Sequence, residues 1–406
     1  MSWINRNSFL LLLLAAALAV PATAGELTVE LMTPAPGDLV PVEAVEAVPV
    51  VKAAPVPREA VSVSRALAAD TKLQAPESFL ARSRDYWVDV TGAELGAGIP
   101  LYNLNGGALV RLNPFPGAAE ATAVTPSQIE ILDAAGKAVN GAVELMVTED
   151  QLAEAGAAFP AGTTAFRLSA KTEGPLRLRA SGLAADAQYV LHVFDAASDV
   201  DLSLRTLRPS YLHGQTLQVE AVLAQGAMQK IEGFVTSPAG RAWPLRLRRG
   251  ADRTFVGSLT IDALEAPAPG LWEVHVQATG RLNGRTVLRS ARTAFAAAVP
   301  TATLQGARIG RAKEGLAVGV ALNVVTAGRF EVSGVLYGTN EEGVLVPAGL
   351  AQSAVWLEPG NGRIELTYGN EALNGVGAPY EVRDLRLADQ GRMAVLHRQA
   401  RGLSIR

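Results

Sequence analysis

A mainly β chain of three domains is what this sequence predicts, and three observations carry the prediction. Short Val, Leu and Ala segments with period-two alternation recur between turns bearing Gly, Pro or Asn, while long helical patterns are scarce. The length of 406 residues suits two or three cores rather than one. Cysteine is absent, so each core must hold without disulfides, thiolate zinc sites or iron–sulfur clusters.

The chain opens on Arg6, an unbroken apolar run from Phe9 to Val20, and Pro21-Ala22-Thr23-Ala24 before Gly25. These are the three parts of a secretory signal peptide cleaved after Ala24, with an apolar run too short to span a bilayer. The expected compartment is periplasmic or secreted, and no transmembrane segment is expected in the mature protein. Residues 25–84 follow as a Pro-rich extended segment, with Pro34, Pro36, Pro41, Pro49, Pro55 and Pro57 removing donors and extending their neighbours. It reads as a spacer, or as an arm packed on a neighbouring domain, and two short helices are expected within it, at Ala60–Asp70 and Pro76–Arg84.

A first β-rich domain is expected over 85–206. Tyr86–Val90, Leu109–Leu112, Ile129–Leu132, Leu176–Arg179 and Tyr189–Phe194 read as its strands. Thr148-Glu149-Asp150-Gln151 carries a capping-box pattern, which predicts a short helix running to about Ala157. A second domain is expected over 207–300. In Leu217–Leu223 the odd positions are apolar, and in the segment from Leu271 the residues Trp272, Val274 and Val276 share one face while Glu273, His275 and Gln277 share the other. With strands at Phe255–Ile261 and Val287–Ala297 as well, this spacing over some ninety residues suits an immunoglobulin-like sandwich built without its disulfide. A C-terminal β-sandwich is expected over 301–406, with six strands. Glu358-Pro359-Gly360-Asn361-Gly362 should turn Trp356's strand into Ile364's as a hairpin, and Asp384 interrupts the alternation of its strand and marks a bulge.

Charge differs by domain. Residues 85–206 hold 7 basic and 15 acidic residues, residues 207–300 hold 11 and 6, and residues 301–406 hold 11 and 10. Domains of opposite sign attract across a junction. The basic second domain also gathers Arg241, Arg246, Arg248, Arg249 and Arg253, and the alternation of Arg246 and Arg248 is expected to put both on one strand face, a patch suited to an anionic surface such as lipopolysaccharide. Aromatic interleaving of the kind nucleic-acid binders use is missing, so nucleic acid is not an expected partner.

Little in the sequence points to catalysis. The four histidines, His192, His213, His275 and His397, show no metal-ligand spacing, and no nucleophile elbow or phosphate-cradling Gly-rich loop occurs. No catalytic residues are assigned. Three features are candidates for binding. Trp243 with Arg246, Arg248 and Arg249 forms a candidate ligand site, because an exposed indole stacks on sugar rings. Asp195, Asp199 and Asp201 lie in one loop and offer hard oxygen ligands to calcium, although their spacing matches no calcium-loop signature; apart from that ion no cofactor is expected. Trp272 and Trp356 read as core.

Three stretches carry a resemblance: Phe330-Glu331-Val332-Ser333-Gly334-Val335-Leu336-Tyr337-Gly338, Tyr380-Glu381-Val382-Arg383-Asp384-Leu385-Arg386-Leu387, and Pro269-Gly270-Leu271-Trp272-Glu273-Val274. The chain resembles an uncharacterised family of exported Gram-negative proteins, a domain-of-unknown-function group with immunoglobulin-like folds. The resemblance implies β-sandwich modules and brings no activity or catalytic residues. The functional expectation is an exported, non-catalytic binding or scaffolding protein whose partner is an envelope protein or surface polysaccharide. The alternatives are a carbohydrate-binding protein, or an accessory or hydrolytic enzyme with its site in the first β domain.

Overall fold

The computed structural model describes residues 27–47, 56–74, 78–115, 122–154, 156, 159–172, 174–264 and 268–406. The expected signal peptide lies outside them. The described residues form three double-layered β units, and no helix among them is long and apolar enough to cross a membrane.

The first unit packs a three-stranded sheet on a five-stranded one. Leu109–Pro114, Ile129–Leu132, Leu176–Ala180 and Gln188–Phe194 fall where alternation places them, joined by Ile99–Leu101, Val143–Thr148 and Thr164–Leu168. In Gln188–Phe194 the residues Tyr189, Leu191 and Val193 point inward and are buried. The expected helix spans Glu149–Glu154, and the Thr148 N–H donates to the Gln151 side chain at 3.0 Å. A second helix, Gly92–Ala97, has a complete capping box in which Thr91 and Glu94 satisfy each other's backbone donors.

The middle unit packs two five-stranded sheets. Leu202–Thr206 pairs with Thr216–Leu223 in one sheet, and the next strand, Ser210–Leu212, runs parallel to Arg285–Ala298 in the other. A first strand shared between two sheets in this way is an immunoglobulin-type arrangement. The core holds Leu217, Val219, Val235, Trp272, Val274, Val276, Ala291 and Phe295. Because Leu202–Thr206 is paired here, this unit begins before residue 207, ahead of the boundary expected from sequence.

In the C-terminal unit the four-stranded and five-stranded sheets share a core of Val318, Val320, Phe330, Leu366, Tyr368, Leu385 and Leu396. Glu358–Pro359 does not make the expected hairpin. Leu345–Leu357 and Gly360–Gly369 belong to opposite sheets. The reason is edge occupancy: Leu345–Leu357 is already paired on one side by Gly328–Thr339 and on the other by Val61–Ala66, so no free edge is left. The bulge at Asp384 is present, with φ at 47° and shifted registers around it.

The Pro-rich segment is a structural arm. Leu27–Val29 extends the C-terminal four-stranded sheet by pairing with Ala302–Ala312, and Val61–Ala66 edges its five-stranded sheet. Between them Leu31 and Leu39 bridge to Leu403 and Arg398. Neither helix expected in this segment forms where it is described: Val61–Ala66 is a strand, and Ala81–Ser83 is a strand of the middle unit, paired with Leu202–Leu204. Val61-Ser62-Val63-Ser64 alternates strictly, and Ser62 Oγ meets Ser353 Oγ across the pair at 2.7 Å. The chain thus visits the C-terminal, middle and first units, then returns through the middle unit to the C-terminal one.

Candidate functional site

Two chain crossings run side by side where the first and middle units meet. One is Arg84, between the strands Ala81–Ser83 and Asp85–Thr91; the other is the loop 195–201, between Gln188–Phe194 and Leu202–Thr206. The Asp195 N–H donates to the Arg84 carbonyl, and Arg84 Nη1 reaches the Ala196 carbonyl at 3.1 Å, so the crossings hold each other.

Behind them lies a buried polar knot. Arg289 and Asp195 are both 0% exposed. Arg289 Nη2 donates to Asp195 Oδ2 and to Ser198 Oγ, each at 2.9 Å, Nε donates to the Val200 carbonyl and Nη1 to the Leu288 carbonyl. Asp195 Oδ2 also accepts the Leu104 N–H at 2.8 Å. Burial pulls the Arg289 guanidinium below its ordinary value, against the opposing effect of Asp195. The same seam is held by Arg285, which donates to the Asn103 and Leu104 carbonyls, and by Gln277, which donates to the Trp87 carbonyl.

This placement answers the calcium expectation. Asp195 is turned inward onto Arg289, Asp199 is exposed, and Asp201 is half-buried and accepts only a long 3.4 Å bond from Ser203. The three carboxylates do not converge, and among the described residues no three His, Asp or Glu side chains come together as a metal would require.

On the outer side of the crossings, Arg82, Ser83, Arg84, Asp85, Phe194 and Asp201 line a cavity of about 320 Å³. His192 Nε2 meets Asp85 Oδ2 at 2.7 Å, and the Ser83 hydroxyl donates to Asp85 Oδ1. Burial would raise the Asp85 carboxyl, but the hydrogen bonds from His192 and Ser83 outweigh it and hold the group below its ordinary value. A serine, a carboxylate and an imidazole meet here with the carboxylate in the middle. The hydroxyl meets the carboxylate and not the imidazole, so the order differs from the Ser–His–Asp arrangement in which the imidazole takes the serine proton.

The second candidate surface is the open side of the middle unit. Ala242–Leu245 edges one sheet and Leu247–Arg249 edges the other, and Arg246 falls at the crossing between them instead of sharing a strand face with Arg248. Arg246 and Arg248 are exposed. Arg249 Nη2 donates to the Met228 carbonyl at 3.2 Å, and its guanidinium lies 5.5 Å from the Phe255 ring centre. Trp243 is half-buried, stacked on Trp272 at 5.0 Å, with the Arg241 guanidinium 5.3 Å from its ring centre. Trp272 is core as expected, whereas Trp356 sits at the rim under Arg58.

The assembly is a multi-domain protein of β-sandwiches laced by its own N-terminal arm. The DUF4785 N-terminal domain, a domain of unknown function, matches residues 52–195, and the DUF4785 C-terminal domain matches residues 301–406. The chain belongs to the DUF4785 family. Its fold is shared with the crystal structure of a DUF4785 family protein from Legionella pneumophila, at 20% identity and a TM-score of 0.73, covering 90% of this chain and 99% of that one. Two further likenesses are too slight to carry an argument. A tetra-tandem repeat of a large adhesion protein gives 17% identity, TM-score 0.20 and coverage of 80% and 73%; a DUF3823 family protein from Bacteroides ovatus gives 12%, 0.17, and 46% and 94%. No curated protein matches the sequence.

Proposed function

We propose that this is an exported, non-catalytic binding or scaffolding protein of the Gram-negative cell envelope, periplasmic or secreted, that meets an anionic partner through the basic edge of its middle unit. The observation that carries the reading is the placement of Arg246 and Arg248. Both are exposed, and they stand where the edge strands of both sheets follow one another in the chain. Charged residues on an edge also block edge-to-edge pairing, which accounts for one or two arginines; the positive balance of residues 207–300, 11 basic against 6 acidic, favours an anionic partner at the exposed Arg246 and Arg248. Surface polysaccharide or an acidic envelope protein fits that chemistry. Support for stacking on sugars is weaker, because the Trp243 ring is already engaged by Trp272 and Arg241.

The test is capture from envelope extracts with residues 25–406, read by mass spectrometry and glycan analysis, beside the Arg246→Glu/Arg248→Glu variant. A partner held by the parent and lost by the charge-reversed protein, with binding weakened by salt, is expected. Equal capture by both proteins would remove the basic edge from the reading.

A further inference from the structure

The cavity at the paired crossings has a charge pattern that the fold does not use. Arg82 and Arg84 are two residues apart on one extended segment, which sends both guanidiniums to the same side. Both are exposed, and among the described residues neither meets a carboxylate; the bond from Arg84 Nη1 to the Ala196 carbonyl leaves the rest of that guanidinium open. On the same cavity wall, Asp201 accepts the long bond from Ser203 and meets no cation among the described residues. Asp85, by contrast, already has hydrogen-bond partners within the protein, His192 and Ser83. Phe194, 37% exposed, supplies the apolar part of the wall.

We infer that this cavity binds a small oxyanion, a carboxylate or a phosphate, that also carries a hydroxyl or ammonium donor. Arg82 and Arg84 take the oxyanion, since guanidiniums match the geometry of carboxylate and phosphate oxygens. Asp201 accepts from the donor, and the body of the ligand rests on Phe194. A volume of about 320 Å³ is at the small end of ligand pockets, which restricts the occupant to a few heavy atoms beyond its charged groups. The walls come from both crossings, so a bound acid ties Arg82–Asp85 to Phe194 and Asp201 and stiffens the seam between the two units. The site is distinct from the basic edge at Arg246 and Arg248 and does not depend on it.

Calorimetric titration of the full mature chain with serine, glycerol 1-phosphate and inorganic phosphate, and with glycerol as the uncharged control, tests the assignment. Saturable binding of serine or glycerol 1-phosphate is expected, with none for glycerol. Arg82→Ala and Arg84→Ala should each weaken it by about tenfold or more, because each removes a charge-assisted contact. Asp201→Asn should weaken the donor-bearing acids while leaving inorganic phosphate unchanged. Both arginines are exposed, so unchanged thermal unfolding serves as the check that each variant is folded. No saturation by either acid at millimolar concentration overturns the inference, and so does binding that persists in the Arg82→Ala/Arg84→Ala protein. Arg246→Glu/Arg248→Glu should bind the small acids as the parent does, which keeps failure here separate from failure of the envelope reading.

Discussion

Arg289→Met should destabilise the seam between the first and middle units more than any surface substitution in this chain. Arg289 and Asp195 are fully buried, and the guanidinium also satisfies Ser198 Oγ and the Val200 carbonyl. Removing it strands a buried carboxylate that would keep, from this network, only the Leu104 N–H. Breaking a buried pair from one side costs about 3–5 kcal/mol. With roughly 3 °C of melting temperature per kcal/mol for a unit of this size, the transition involving these two units should fall by about 10 °C. The double variant Arg289→Met/Asp195→Asn should recover a large part of the loss, since a pair replaced on both sides leaves no isolated charge. Differential scanning calorimetry of the parent, both single variants and the double variant closes the cycle. A single-variant cost below about 1 kcal/mol, or a double variant as damaged as the sum of the singles, would refute the argument that the knot holds as a charge pair.

Deleting residues 25–66 should lower the C-terminal melting transition and promote association, because it uncovers the edges paired by Leu27–Val29 and Val61–Ala66 and removes the Pro57 and Glu59 carbonyls that receive Arg329; light scattering during a thermal ramp measures both. Burial holds His397 below its ordinary value even with Asp38 nearby and Gln399 in contact. Its contribution to stability is therefore full above the unfolded histidine value of about 6.5 and is lost as pH falls through the lower folded value; urea unfolding from pH 7 to 5 should show this loss, reduced in His397→Gln. Trp243→Ala should cost the middle unit about 2 kcal/mol, part of the value for a fully buried Trp, through loss of its stack on Trp272. A glycan preference that changes with no loss of stability would instead return the indole to a binding role.

The mainly β fold was legible because period-two alternation is local. Leu217, Val219, Ala221 and Leu223 are buried as their spacing demands, and so are Trp272, Val274 and Val276. Pairing partners were less legible. Whether residues 358–362 make a hairpin depends on an edge taken by Val61–Ala66, nearly three hundred positions earlier, and no local signal reports that. The buried knot did leave a trace. Asp195 continues the inward positions of Tyr189, Leu191 and Val193, and Arg289 lies at the inward position between Val287 and Ala291. Two opposite charges, each on the core parity of its own strand, point to an ion pair; the loop spacing of Asp195, Asp199 and Asp201 drew the reading toward calcium instead. The cavity was not legible, since it needs Arg82 brought opposite Ser203.

The chain path bears on what the modules can do together. A string of domains joined by single linkers is free to reorient, and relative motion is the ordinary expectation for small polar interfaces. Here each seam is crossed twice. Residues 67–80 and 299–301 join the C-terminal and middle units, and Arg84 and residues 195–201 join the middle unit to the first. Arg84 and residues 195–201, bonded side by side, oppose the twisting that a single connection permits, and side-chain bonds add to both seams: Arg285 and Gln277 on the first unit, and Arg208 and Gln215, which reach the Asp38 and Val40 carbonyls of the arm. The basic edge on the middle unit is therefore presented in a direction set by both neighbours, which is what the proposed scaffolding role would need. If the proposed capture through Arg246 and Arg248 is correct, substitutions at the seams far from that edge, such as Gln277→Ala, should weaken it in the same envelope-extract assay; unchanged capture would separate the edge from the seams.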